Sequence, residues 1–549
     1  MKALKDFLVI AVLLCGAAVI HPQTQQWQWA IGAGGPGNDE GRAIATDSQG
    51  NLYVTGSFSG TASFGPHILT SEGEEDIYAA KLDPEGNFLW AVSAGGPSWG
   101  EAGHGIAVDG AGNVWLAGDF RETASFGPHS LTSAGYGDVF AAKLDPEGNF
   151  LWAVSAGGSS HDSCYDLAVD ASGNAWLTGC FRYGASFGPH TLDSAGNRDI
   201  FAAKLDPGGN FLWAVNAGGT DQDYAYGIAI DGAGNAFLTG YFPGTASFGD
   251  HELTSAGSTD IFAATLDPEG NFIWAVRAGG PSGDSGHDIA VDEAGNAWLT
   301  GYFYGTADFG SHSLASAGYD DIFTARLDPD GNFLWAAGAG GADWDTGDGL
   351  AVDASGYAWL TGHFSGTAGF GPHFLTSCGG DDAFCAKLDP DGSFLWAYGA
   401  GGPSNDSGQG LVIDNAGHAW LAGSFKSTAS FGPHDITSNG EYDACVARLG
   451  PSTPVEEELA SGAGYSRLLA AYPNPFHKDQ NAILKAEVAS GDSGILIICN
   501  LRGQVVREMA LKPGTHRISI KGEGLAPGLY LCGLKTRSCR SVKKILLLE

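Results

Sequence analysis

The sequence predicts an all-β fold, and three observations carry that expectation. A tryptophan recurs at Trp29, Trp90, Trp152, Trp213, Trp274, Trp335 and Trp396, spaced 61 or 62 residues apart. Each copy consists of short strand-length runs punctuated by glycine turns. The 86 glycines show no collagen-like period, and hairpin turns account for them. A fixed period slightly longer than a usual propeller blade, repeated seven times, implies a closed radial array. The expected architecture is a seven-bladed β-propeller followed by a small β-sandwich.

One copy shows how each element is justified. Asp288 to Asp292 is a short apolar run (strand A), and Asn296 to Phe303 is an aromatic and β-branched run (strand B). The Glu-Ala-Gly between them is a hairpin turn. Strand C begins at Asp321, and strand D begins at Asn332 after an Asp-Pro-Asp-Gly turn, in which proline presets φ and glycine tolerates positive φ. The B-to-C connection carries TADFGSHSLASAG, expected to form a small extra hairpin at the rim. The array is out of phase at its ends: residues 26–35 read as a D strand, and residues 443–449 as a C strand. The N-terminal strand is therefore expected to complete the last blade, so that no sheet edge stays bare.

The pattern W-A-x-x-A-G-G, then G-I-A-V-D-x-x-G-N-x-W-L-T-G-x-F, then D-I-F-A-A-K-L-D-P-x-G-N resembles the SBBP-type β-propeller repeat of secreted bacterial proteins. The resemblance spans residues 26–450 and implies a scaffold with no agreed catalytic residues. A-K-L-D-P-x-G-N-F-L-W is also similar to the tryptophan-docking motif of quinoprotein propellers, but their cofactor-specific residues are missing. A blade-locking role is expected, and no cofactor.

The formal net charge is −35. From Tyr465 onward there are 13 Lys+Arg against 6 Asp+Glu, leaving 14 against 56 before it. So acidic a propeller repels nucleic acid and anionic membrane, and sugars, cations or basic proteins remain as partners. At the N-terminus, Lys2 and Lys5 precede the apolar run Phe7 to Leu14, followed by Gly16, Ala17 and Ala18, the pattern of a signal peptide over residues 1–22. That run is shorter than the roughly 20 residues needed to span a bilayer, so no transmembrane span is expected in the mature chain.

Residues 451–466 form a proline, acid and small-residue linker. The basic stretch 467–549 alternates as the strands of a sandwich. Its Y-P-N-P-F opening, L-x-P-G-L-Y strand and K-K-I-L-L-L end resemble the C-terminal sorting domain of the type IX secretion system. That resemblance implies the type IX machinery as a partner and export to the outer-membrane surface or beyond. An exported chain meets oxidising conditions, so Cys164 with Cys180, and Cys532 with Cys539, are candidate disulfides across hairpins, with free thiols as the alternative. Cys378, Cys385, Cys445 and Cys499 show neither a pairing nor zinc spacing.

Several residue sets could carry function. Asp39, Asp162, Asp223, Asp284, Asp345 and Asp406 follow the Gly-Gly of each D-to-A loop, with Glu101 in the longer loop. These carboxylates either cap their own turns or face a ligand at the channel mouth. The histidines His67, His129, His190, His251, His312, His373 and His434 are too evenly spaced to share a metal and are expected to bond the local turn. Asp-Pro-Asp-Gly at Asp328 and Asp389 lacks the later ligands of a calcium loop and reads as a turn. No metal site is expected. Trp99, Tyr165, Tyr224, Tyr226 and Trp344 in D-to-A loops, with Tyr136 and Tyr319 at B-to-C ends, do not repeat from copy to copy. Aromatic faces beside carboxylates suit sugar rings. The expected function is therefore a secreted or surface, non-catalytic scaffold binding a glycan or protein. The alternative is a secreted polysaccharide hydrolase or lyase with carboxylates at the channel mouth.

Overall fold

The computed structural model describes residues 25–451 and, beyond them, residues 467–472, 476–477, 481–488, 493–500, 504–521, 528–536 and 540–548. The expected signal segment, and the expected linker apart from Pro451, lie outside the described residues. Every described element is a β-strand. No helix among them is long and apolar enough to cross a membrane.

Residues Gln25–Pro451 form one compact unit. In one repeat, strand A is Asp284–Val291, B is Ala297–Phe309, C is His312–Leu327 and D is Phe333–Gly341, joined in the order A-B-C-D. The other repeats have the same order. The N-terminal strand Gln25–Ala33 pairs antiparallel with His434–Pro451, Gln25 opposite Pro451 and Ala33 opposite Ala444. The B-to-C insert is the expected rim hairpin, as in Thr61–Phe64 against His67–Thr70.

Turn chemistry sets the strand lengths. At the A-to-B turn, Asp47 Oδ1 accepts the N–H groups of Gln49 and Asn51 at 2.9 Å, and Gly50 adopts φ 84°. The C-to-D turn uses the same device at Asp328, whose Oδ1 accepts from Asp330 and Asn332, and at Asp389, which accepts from Asp391 and Ser393. Both Asp-Pro-Asp-Gly segments are thus turns whose carboxylates are already engaged by backbone. Strand B buries Trp298, Phe303 and Phe309, each such side chain contributing about 1.5–3 kcal/mol by transfer from water, and leaves Tyr304 exposed. The core lies between adjacent repeats, where Phe237, Ile261 and Trp274 of one pack with Leu299, Phe323 and Leu327 of the next.

The D-strand tryptophans join neighbouring repeats. Trp90, Trp152, Trp213, Trp274 and Trp335 each donate the indole N–H to the proline carbonyl in the following repeat's C-to-D turn, at 3.0–3.2 Å. The turn glycine lies under the indole: a Cβ on Gly270, at φ 89°, would sit 3.0 Å from Trp213. Trp29 of the N-terminal strand lies over Gly86 in the same manner, 3.1 Å from such a Cβ.

Two expectations are corrected here. Cys164 and Cys180 are buried free thiols. The register pairs Cys180 with Ser163 and Cys164 with Gly179, a one-residue offset that turns the two side chains to opposite faces. Cys378, Cys385 and Cys445 are also free thiols, and Cys539 lies outside the described residues. The seven rim histidines each open the second hairpin strand opposite a phenylalanine, as His67 does opposite Phe64, without a ring-nitrogen bond to the turn. Backbone pairing already closes that hairpin.

In the C-terminal unit, Asn481–Val488 lies between Arg467–Tyr472 and Gly514–Lys521 in one sheet. A second sheet runs Phe476–His477, Arg540–Leu548, Gly528–Lys535, Gly494–Asn500, Val505–Leu511. Leu484, Ala486, Ile518 and Ile520 from the first sheet and Leu496, Ile498, Leu534 and Leu547 from the second share one core.

Candidate functional site

The carboxylates after each Gly-Gly are structural clamps. Asp39, Glu101, Asp162, Asp223, Asp284, Asp345 and Asp406 are 0–2% exposed. Each accepts the N–H of the second glycine at 2.7–2.9 Å. Asp284 also accepts from Tyr304 N at 3.1 Å and Asp406 from Lys426 N at 3.0 Å, tying the D-to-A loop to the end of strand B. Burial raises these carboxyls to about 6 for Asp39, Asp162, Asp284 and Asp406, and to about 7 for Glu101, Asp223 and Asp345. Buried in this way, they cannot meet a ligand, which corrects their expected place in a binding surface.

Three residues beyond each clamp, strand A carries a position that varies among the repeats: Arg42, His104, Tyr165, Tyr226, His287, Asp348 and Gln409. The structure brings all of these together around one cavity of about 420 Å³, completed by His363 and Ser407. Small neighbours let the strands converge. A Cβ on Gly103 would fall 2.2 Å from Thr55 Oγ1, and one on Gly105 would fall 2.8 Å from Leu167 N of the adjacent strand. Where glycine is replaced, Asp166 and Asp288 bridge forward, accepting the N–H groups of Ile228 at 2.9 Å and Leu350 at 2.7 Å.

Contacts run from repeat to repeat around the cavity. Arg42 Nη1 donates to His104 Nδ1 at 3.1 Å, so His104 carries its proton on Nε2 and donates to Asp119 Oδ1 at 2.9 Å. Burial and the Arg42 charge lower the His104 pKa, keeping it neutral. The His104, Tyr165, Tyr226 and His287 rings meet edge to face at 5.7, 5.0 and 5.6 Å. Asp348 then accepts from two imidazoles, His287 Nδ1 at 3.1 Å and His363 Nδ1 at 2.9 Å. Burial opposes ionisation of Asp348, but the two histidines outweigh it and hold the carboxyl down at about 2. Burial likewise disfavours charge on His363, yet Asp348 raises it to about 8. With both Nδ1 atoms committed to Asp348, each ring's available nitrogen is Nε2.

The expected aromatic residues divide into three sets. Tyr165 and Tyr226 lie on A strands, Ser163–Val169 and Tyr224–Ile230, and line the cavity. Tyr224 packs behind them, stacked on Tyr241 at 5.1 Å. Trp99, Trp344, Tyr136 and Tyr319 stay at the surface: Arg121 covers Trp99 at 3.8 Å, and Tyr319 stacks on Trp344 at 4.6 Å. Arg42, His104, His287, Asp348, His363 and Gln409 were not anticipated. Their signal is partly readable: the middle residue of the G-x-G segment before I-A-V-D takes five identities in seven copies, and the last variable residue of L-T-G-x-F also changes, although Ala43, Cys164, Asp166, Ala225 and Asp288 replace flanking glycines as well. A second cavity, at the A-to-B turns around Asp47 and Asp109, is lined by carboxylates already engaged by Asn51 and Lys143. Among the described residues, no group of three or more His, Cys, Asp or Glu side chains forms a metal site.

Comparison with known proteins agrees with the repeat and the tail. Residues 28–57 and 273–305 match the SBBP β-propeller repeat, and residues 470–548 match the secretion system C-terminal sorting domain. The chain is 23% identical over 82% of its length to an uncharacterized WD repeat-containing protein, L264, of Acanthamoeba polyphaga mimivirus. It is 26% identical over 89% of its length to the regulatory protein FlaEY of Caulobacter vibrioides. It spans 39% and 56% of those relatives' own lengths. Similar solved structures include a fungal AA5 alcohol oxidase (TM-score 0.40, 13% identity, 96% of this chain and 100% of that one). Another is PorZ of Porphyromonas gingivalis (TM-score 0.23, 14% identity, 94% and 75%). The chain therefore carries SBBP β-propeller repeats and a type IX C-terminal sorting domain, which implies export to the cell surface or the extracellular space.

Proposed function

We propose that this protein is a surface-displayed or secreted seven-bladed propeller that binds a glycan in the cavity around Tyr165 and Tyr226, without turning it over. The observation that carries the reading is that the strand position free to vary among the repeats converges on this cavity. Repeated residues serve the scaffold; residues that differ copy by copy serve something else. Tyrosine rings beside imidazole, amide, hydroxyl and guanidinium groups offer apolar edges and both donors and acceptors, which suits sugar hydroxyls. Glycoside hydrolysis by the common route uses two carboxyl groups, and the cavity lining holds one carboxylate, Asp348, already shared by two histidines.

The reading includes a ring closed by the N-terminal strand around a channel. Support comes from Trp29 over Gly86, and from a core in which Ile44, Val54 and Phe64 of the first repeat pack with Trp420, Ala422 and Val446 of the last. The domain limits proposed are residues 1–22 for the signal peptide, 26–450 for the propeller, 451–466 for the linker and 467–549 for the sorting sandwich.

A glycan array followed by calorimetry tests the reading, with reducing-sugar and unsaturated-product assays alongside. Tyr226→Ala should weaken the ligand by about 1–3 kcal/mol, and Glu269→Ala in a C-to-D turn should leave it alone. Loss of binding in Trp99→Ala and Trp344→Ala, with Tyr226→Ala unaffected, would move the site to the outer loops. Product release would establish the hydrolase or lyase alternative instead.

A further inference from the structure

The groups around the cavity define more than a polar surface. The propeller is strongly acidic, yet the cavity brings together a guanidinium and two imidazoles with free Nε2 atoms, against one lining carboxylate. Arg42 spends one Nη1 hydrogen on His104 and pairs through Nη2 with Glu40 at 2.9 Å. A guanidinium carries two hydrogens on each terminal nitrogen, so one remains on each to donate to an oxyanion. His104 is neutral and fully engaged, serving to position Arg42 rather than to contact a ligand. In the neighbouring repeats, Asp348 spends both of its oxygens on His287 and His363 and so has its charge locally matched.

We propose that the bound saccharide is anionic, its carboxylate or sulfate held between Arg42 and the His287–His363 imidazole pair. This rests on the glycan reading above and specifies its ligand class. The nearby carboxylates are already engaged, Glu40 by Arg42 and Asp348 by the two imidazoles, and exposed charges farther than about 8 Å away are largely screened at physiological salt. The charged and titratable groups facing His363 are Asp348 directly, Asp345 and Asp381 at longer range, and His287 across Asp348; Arg42 shares the cavity. Asp288 adjoins His287. His363 is therefore cationic at neutral pH and loses its charge as pH rises through about 8.

The test uses the secreted full-length protein and four probes: an oligogalacturonate and its methyl ester, and a sulfated disaccharide and its desulfated counterpart. An acidic probe should bind while its neutral counterpart binds at least about tenfold more weakly, as expected for losing charge-assisted hydrogen bonds. The preferred pair tells carboxylate from sulfate. Affinity for the acidic probe should fall between pH 6.5 and pH 9, and the fall should move to lower pH in Asp348→Asn, which removes the charge that raises His363. Arg42→Gln should abolish the preference and Arg42→Lys should restore part of it, with melting curves confirming that both variants fold. Equal binding of acidic and neutral probes, insensitive to Arg42→Gln, would overturn the inference and leave the glycan site standing. Binding of no saccharide, acidic or neutral, would overturn both.

Discussion

Trp29 offers the sharpest test of the ring, because it is the N-terminal strand's share of the seam with the first repeat. Its indole is half-buried, meets Trp420 edge to face at 5.3 Å and covers Gly86. Trp213 is a matched internal control: also half-buried, 5.0 Å from Trp176, and lying over Gly270. A Trp→Ala change in a full core costs about 3–5 kcal/mol, so about 2–3 kcal/mol is reasonable for either half-buried indole. They differ in one term. Trp213 Nε1 donates to Pro268 O at 3.1 Å, whereas Trp29 Nε1 has no partner. Removing the Trp213 donor adds about 1 kcal/mol. In a closed ring, Trp29→Ala should therefore lower stability almost as much as Trp213→Ala, and Trp29→Phe should be milder than Trp213→Phe by about that hydrogen bond. Urea unfolding followed by tryptophan fluorescence, with calorimetry as a second probe, measures both. An unchanged midpoint for Trp29→Ala beside a clear drop for Trp213→Ala would refute closure through the N-terminal strand.

Three further outcomes are expected. Asp284→Ala leaves the buried N–H of Gly280 and the part-buried N–H of Tyr304 without their acceptor and should cost about 1–3 kcal/mol in denaturant unfolding, whereas a merely ligand-facing aspartate would cost almost nothing. The clamp carboxyls, at about 6 to 7 when folded, keep their protons over a pH range in which the unfolded chain has lost them. The folded state binds more protons there, so stability should rise as pH falls from 7.5 to 5; a Tm that falls over that range would contradict the buried clamps. Deleting residues 467–549 should leave the propeller in the periplasm, and normal surface display of the truncated chain would refute the sorting role.

The period of Trp29, Trp90 and their successors, the Asp-x-x-Gly-Asn turns and the rim hairpin were legible in the sequence because each is set locally. A turn needs its aspartate and its positive-φ glycine wherever it occurs, and the alternation of a strand shows which face is buried. The tail was readable for the same reason, as an ordered string of strand motifs. The ligand role of residues such as Asp223 and Glu101 was not decidable locally. A carboxylate beside a Gly-Gly is the same in sequence whether it faces water or caps buried N–H groups, and only the packing of loop against strand makes it a clamp. The Cys164–Cys180 pair shows the same limit, since a one-residue register offset, invisible in sequence spacing, sends the two sulfurs to opposite faces. The cavity depends most on tertiary structure. Arg42 and His363 are 321 positions apart in the chain, and each is a single variable letter in a repeated strand. Lateral packing of the A strands, permitted by glycines such as Gly103 and Gly105, turns those letters into neighbours around one cavity, because strands this close leave no room for a Cβ between them and the side chains in between project into that cavity instead.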